Sequence, residues 1–94
     1  MSAGEVSGAF VVAFELGLHA RPAGRFVTLA GKFESEVFVA RGEEWVSGTS
    51  VLSLLSLAAA HGTRLSIRAV GSDAQEAVAA LGALLEDAAA FESG

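Results

Sequence analysis

Apolar positions along the chain keep strand-like and helix-like rhythms in turn, and each change of rhythm marks an element. Gly8-Ala-Phe-Val-Val-Ala-Phe14 is a run of β-branched and aromatic residues. It reads as a strand, and its unbroken apolarity predicts burial on more than one side. Ala23, Phe26, Val27, Ala30 and Phe33 recur at i, i+3, i+4, i+7 and i+10, one face of a helix that stops near Gly31. Glu36 to Ala40 alternates, with Val37 and Val39 on one side and Phe38 on the other. Gly42 sits in a turn before Glu44-Trp45-Val46, so these two short segments read as a hairpin. Ser47-Gly-Thr-Ser50 is rich in capping residues and precedes Val51–Leu57, a short helix ended by Gly62. Leu65, Ile67 and Ala69 alternate with Arg64, Ser66 and Arg68, the pattern of a half-buried strand. Gly71-Ser72 opens the last helix. Ser72 and Gln75 there have capping-box spacing, and Asp73 and Glu76 suit the positive end of the helix dipole. Ala77, Val78, Leu81, Leu84, Leu85 and Ala88 make its buried stripe. The order is β-α-β-β-α-β-α. Its economical packing is an α+β two-layer sandwich, one four-stranded sheet with helices on one face. The ferredoxin-like split βαβ arrangement is related, and fold alone decides no function.

Composition narrows the class. The chain has 94 residues, 52% of them hydrophobic and 18% charged. That excludes a disordered chain and predicts one domain over residues 1–94, with an ordered core at about 6–90. Without cysteine there is neither a disulfide framework nor a thiolate zinc site. Eleven acids against six bases give a net charge of −5, which disfavours general nucleic-acid binding. Met1 to Gly8 is small and polar with no basic start, and no apolar run reaches the roughly 18 residues of a membrane span. The expectation is a soluble cytoplasmic monomer with no membrane association, metal or cofactor.

The candidate chemistry lies in Gly17-Leu18-His19-Ala20-Arg21-Pro22. His19 stands where a strand gives way to a helix. Pro22 fits the first turn, where its missing N–H loses nothing. The first helical N–H groups, near Ala20, Arg21 and Ala23, have no intrahelical acceptor and face outward at the positive end of the dipole. Arg21 adds a planar donor fork suited to phosphate oxygens. Gly17 permits a tight approach and unusual dihedrals. Histidine has an ordinary pKa of about 6.5, so it is mostly neutral at pH 7 and able to attack phosphorus. The plainer alternative is that His19 is an N-cap or a satisfied loop residue.

Gly17-Leu-His-Ala-Arg-Pro22 resembles the phosphorylation-site signature of the HPr family, the histidine-containing phosphocarriers of the bacterial sugar phosphotransferase system. The likeness runs essentially ungapped from about Val6 to Ala88. It includes Phe33-Glu-Ser-Glu-Val37, Thr49–Leu57, His61-Gly-Thr63 and Ile67–Asp73. The resemblance implies the HPr-like open-faced sandwich, a four-stranded antiparallel sheet with three helices on one face. It implies a carrier that accepts a phosphoryl group from enzyme I on the histidine Nδ1 and passes it to IIA components of sugar permeases. His19 matches the phosphorylated histidine and Arg21 the active-site arginine, with Gly17, Ala20 and Pro22 completing the phosphate-stabilising turn. No cofactor or metal is implied.

The second helix carries more large apolar residues than one buried stripe uses. The family docks its partners through an apolar patch there, and Val51, Leu52 and Leu55 match that patch, with Arg25 nearby. Ser50 matches a serine that a dedicated kinase modifies in many relatives, and it also suits the N-cap of this helix. Leu16 stands where relatives usually carry Asn or Ser, and Thr28, Gly31 and Ser53 stand at positions often basic. His61 and the Glu43-Glu44 pair read as solvated surface, and Trp45 as core or partly buried. Three classes remain open: a carrier in sugar uptake, a regulatory relative in a nitrogen or other signalling branch that binds regulators, and a ligand-binding module with a coincidental anion site. The sugar or permease, the source organism and the use of Ser50 are not written in the sequence.

Overall fold

The computed structural model describes residues 4–91. Along it run β1 (Glu5–Val11), α1 (Ala20–Ala30), β2 (Glu36–Arg41), β3 (Glu44–Ser47), α2 (Val51–Ser56), β4 (Arg64–Val70) and α3 (Ala74–Leu85), then a 3-10 turn, Ala88–Phe91. The four strands form one antiparallel sheet in the order β1-β4-β2-β3. The helices cover one face of it, the expected open-faced sandwich. Alternation builds the layers. Leu65, Ile67 and Ala69 of β4 are fully buried beneath the helices, and Arg64, Ser66 and Arg68 point the other way. α1 closes over them with Pro22, Ala23, Phe26 and Ala30, and α3 with Ala77, Val78, Leu81 and Leu85. Each large aliphatic or aromatic side chain removed from water contributes about 1.5–3 kcal/mol, and these layers supply most of the burial. Gly82, in the middle of α3, leaves room for the Phe10 ring, which a β-carbon there would strike.

Several sequence expectations are corrected. β1 begins at Glu5 rather than Gly8 and ends at Val11. It is an edge strand whose residues alternate between exposed and half-buried, and Val11 is 45% exposed. The apolar run outlasts the strand because Val12 and Phe14 stay buried while the chain leaves the sheet. α2 stops at Ser56, well before Gly62. Asp73, not Ser72, occupies the N-cap of α3, and no side chain caps that helix. Ala88 lies exposed in the 3-10 turn, outside the buried stripe. Met1–Ala3 and Glu92–Gly94, parts of the 1–94 domain expectation, lie outside the described residues.

Trp45 is not core. It is 39% exposed, on the face of the sheet away from the helices. The register sets Ala40 opposite Trp45 and Phe38 opposite Arg68. The Arg68 guanidinium carbon therefore lies 5.0 Å from the Phe38 ring centre and 4.8 Å from that of Trp45, within cation–π range of both. The aromatic side chains of this face thus pack on a cation and not on a second apolar layer.

The Asp73 carboxylate ties two turns together. It accepts from the Glu34 N–H (2.8 Å), the Ser35 N–H (2.9 Å) and the Ser35 hydroxyl (2.6 Å). Gly71, at φ +153°, passes so close to Ser35 that a β-carbon would lie 2.6 Å from the Ser35 Cα. The Ser35 hydroxyl first, and then the Glu34 N–H, hold the Asp73 carboxyl below its ordinary range. A lowered folded-state pKa means that the ionised group contributes stability above the unfolded pKa of about 3.9. That contribution is lost as the pH falls through the folded pKa. Thermal melts of Asp73→Asn should therefore lie below wild type at pH 7, and the gap should narrow once the pH drops below about 4. A gap that is constant down to acid pH would show that the charge is not what matters.

Candidate functional site

The turn from β1 into α1 is fixed by backbone contacts with the segment after α2. Val12 donates to the Thr63 carbonyl at 2.9 Å and accepts from the Gly62 N–H at 2.8 Å. Gly17 donates to the Phe14 carbonyl (2.9 Å), and Leu18, itself buried, donates to the Ala59 carbonyl (2.9 Å). Gly17 has φ +75°, and a β-carbon on it would lie 2.6 Å from the Ala59 oxygen and 3.0 Å from the Ala60 Cα. Both the conformation and the space demand glycine. The His19 N–H folds back on the Gly17 carbonyl at 2.9 Å.

His19 is the N-cap of α1, extended at φ −91° and ψ −171°, and its half-buried imidazole makes no capping hydrogen bond. The first helical bond is from the Ala23 N–H to the His19 carbonyl, 3.0 Å. Ala23 therefore drops out of the set of free donors expected from the sequence. The N–H groups of Ala20 and Arg21 have no acceptor among the described residues, and Pro22, buried in the first turn, has no N–H. No acidic side chain occupies that turn. Arg21 and, one turn on, Arg25 are exposed and form neither a hydrogen bond nor an ion pair with any described residue. His19, the Ala20 and Arg21 N–H groups and the exposed Arg21 thus share the first turn of α1, at the positive end of the helix. A helix start of this kind offers donors and positive charge to an anion.

α2 lies against α1. Ser50 caps it, its hydroxyl oxygen accepting from the Ser53 N–H at 3.2 Å. Leu54 and Leu57 are buried, and Val51 and Leu55 are half-buried against the core. Leu52 is 79% exposed and Leu16, three residues before His19, is 78% exposed. The apolar surplus of α2 therefore resolves into one fully outward side chain with two partly covered neighbours. His61 and the Glu43-Glu44 pair are exposed, as the sequence indicated. Among the described residues no cluster of three or more His, Cys, Asp or Glu offers a metal site.

One contact escapes sequence reasoning. Arg41, at the end of β2, donates through Nη1 to the carbonyls of Leu57 (3.0 Å) and Ala58 (3.1 Å). Ala58 has φ +51°, the one non-glycine residue with a positive φ among those described. An arginine closing a strand carries no periodicity or motif that links it to a helix end sixteen residues on.

Comparison with known proteins bears on this arrangement. Residues 6–87 match the family model "PTS HPr component phosphorylation site". The phosphocarrier protein HPr of Neisseria meningitidis serogroup A is 43% identical over 67 residues, 71% of this chain and 75% of that protein. The HPr-like protein Crh of Bacillus subtilis is 40% identical over 76 residues, 81% of this chain and 89% of that protein. The crystal structure of the phosphocarrier protein HPr from Bacillus anthracis superposes with a TM-score of 0.83 at 35% identity, covering 87% of this chain and 98% of that one. The open-faced α+β sandwich and these matches define one class of molecule, the small phosphocarrier domain. The chain belongs to the HPr family of phosphocarrier proteins of the phosphotransferase system.

Gly17→Ala should be strongly destabilising, since it forces a left-handed alanine against the Ala59 carbonyl. A loss of at least about 1–2 kcal/mol in denaturant unfolding is expected from the backbone conformation alone. A wild-type midpoint would mean that the turn relaxes freely.

Proposed function

We propose that the protein carries a phosphoryl group on His19, taking it from enzyme I and giving it to a IIA component of a sugar permease. The observation that carries this reading is the bare start of α1. The imidazole of His19 stands beside two N–H groups without acceptors, and Arg21 is free of any carboxylate. In the transfer an imidazole nitrogen of His19 attacks the phosphorus of a phosphohistidine on enzyme I. The new N–P bond forms as the donor's N–P bond breaks, and the donor imidazole leaves with the electron pair. The charge on the three equatorial oxygens meets the Ala20 and Arg21 N–H groups, the helix dipole and the Arg21 guanidinium. Such a step needs alignment and electrostatic stabilisation and little else from the protein. By the family resemblance the nitrogen is Nδ1, and the second transfer repeats the first in the opposite sense.

Docking falls to α2 and its surroundings. Leu52 projects into solvent, Val51 and Leu55 flank it, and Arg25 contributes the nearest charge on α1. Leu16 adds an apolar group where relatives usually carry a polar one. The partner face is accordingly apolar. Ser50 serves as the helix cap and, when a kinase supplies phosphate, as a switch. A dianion beside Val51 and Leu52 disfavours an apolar partner by desolvation. A second reading is a regulatory relative of a nitrogen or other signalling branch, in which His19 is phosphorylated and the output comes from binding regulators; the similarity to proteins named Crh and NPr as well as HPr supports keeping it. Sugar permease components among the binding partners separate the first reading from the second.

Incubation with phosphoenolpyruvate and enzyme I should place acid-labile phosphate on the wild-type chain and none on His19→Ala. Phosphate retained by His19→Ala overturns the assignment. Arg21→Ala should transfer at least about tenfold more slowly, equivalent to roughly 1.4 kcal/mol. An unchanged rate would leave the backbone N–H groups as sufficient.

Leu52→Glu should keep the melting curve of the wild type and raise the apparent binding constant for enzyme I. Ser50→Asp should act in the same direction and more weakly than phosphate, having less charge. A collapsed melt in Leu52→Glu, or unaltered binding in both variants, contradicts the docking assignment.

A further inference from the structure

We propose that Arg41 is a positioning residue for the His19 turn, holding it from the sheet through the chain that follows α2; the catalytic part of this inference rests on the phosphocarrier reading. α2 has six residues, too few to be stable alone, and it has no basic residue in its last turn. The carbonyls of Leu54 and Leu55 accept from the N–H groups of Leu57 and Ala58. Past them, Arg41 reaches from another element to the carbonyl of Leu57, the C-cap, at 3.0 Å and to that of Ala58 at 3.1 Å.

The second of those bonds matters most. Ala58 is left-handed at φ +51°, a conformation that helix ends usually assign to glycine or asparagine. An alanine stays there only where its surroundings hold it. The Arg41 bond fixes the peptide plane between Ala58 and Ala59. One residue later the Ala59 carbonyl accepts the Leu18 N–H at 2.9 Å and closes the space around Gly17. Leu18 directly precedes His19, the cap of α1. From the Arg41 guanidinium to the His19 backbone there are thus two hydrogen bonds and a few rigid peptide units. At its other end Arg41 is held in the sheet by its register with Glu44 at the close of the β2–β3 hairpin.

Removing these two bonds, both from Nη1, should therefore loosen the His19 turn before it loosens the sheet. Arg41→Met keeps the apolar stem and deletes the donors, and Arg41→Lys restores a cation without the planar fork. In Arg41→Met the Leu18 amide should exchange with solvent deuterium about tenfold faster, while the Leu65 and Ile67 amides of β4 keep their wild-type rates. The maximum rate of phosphoryl transfer from enzyme I should fall by about tenfold, with the apparent binding constant little changed. Arg41→Lys should recover part of both losses. Unchanged Leu18 exchange overturns the proposal. So does a rise shared equally by Leu65 and Ile67, which would make Arg41 a contributor to general stability only. A freed Leu18 amide with an undiminished transfer rate also overturns the link to His19. A wild-type chain that takes no phosphate counts against the phosphocarrier reading instead, and the exchange rates still decide whether Arg41 anchors the turn.

Discussion

The close approach of Gly17 to the Ala59 carbonyl is the constraint on which the site depends. A residue with a side chain cannot stand at φ +75° with an oxygen 2.6 Å from its β-carbon position. With glycine there, the Leu18 N–H reaches that oxygen, and Leu18 is drawn into the core. His19 is then delivered, extended, to the start of α1. Everything chemical about the turn follows from this delivery. The dipole of α1 points at the imidazole because the chain enters the helix at that angle. The Ala20 and Arg21 N–H groups are free because they are the first helical residues after the cap, and Pro22 removes a third donor.

Charge on this molecule is arranged against its average. The chain carries eleven acids and six bases, yet no acidic residue enters the first turn of α1. Screening over a Debye length of about 10 Å at ordinary salt makes the near groups decide local binding. The bases are distributed by role. Arg21 and Arg25 stand free on α1, Arg41 takes the carbonyls after α2, and Arg68 is stacked between Phe38 and Trp45. The overall negative charge then acts at longer range, where it slows encounter with acidic partners. If docking runs through the exposed Leu52 as proposed, an apolar contact suits such a chain better than a basic docking face would.

Fold and site differ in how legible they were. The alternation of β4 and the helical spacing of Ala23, Phe26 and Ala30 report burial directly, so the layers could be read from period alone. The hexapeptide at His19 could be read because a glycine, a histidine, an arginine and a proline each have a distinct physical use at a helix start. What could not be read are contacts between segments distant in sequence. Asp73 looked like a contributor to its own helix, but its carboxylate is taken by Glu34 and Ser35. Ala58 drew no reading at all, because nothing in an alanine announces a left-handed backbone that accepts from an arginine of β2. Trp45 was left between core and partly buried for a related reason, and it is partly buried at 39% exposed. An open-faced sheet leaves its second face to solvent, and a tryptophan there is satisfied by stacking on Arg68, not by entering the core.

A carrier has a requirement that a tight binder lacks: the group it accepts must leave again. Charge-assisted hydrogen bonds contribute about 1.5–3 kcal/mol each, and a helix terminus adds about 0.3–1 kcal/mol at the surface. Two N–H groups, one dipole and one solvated guanidinium therefore give useful stabilisation without a trap. Burying the same groups would multiply their effect, because the local dielectric would fall. The half-buried His19 and exposed Arg21 keep that multiplication in reserve. On the proposed carrier reading, a partner that closes over the site and excludes water would supply it, strengthening each donor during the transfer itself. The exposed apolar side chains of Leu16 and Leu52 would then do more than provide affinity: they would seal a weak, solvated anion site into a strong one for the time a partner is bound.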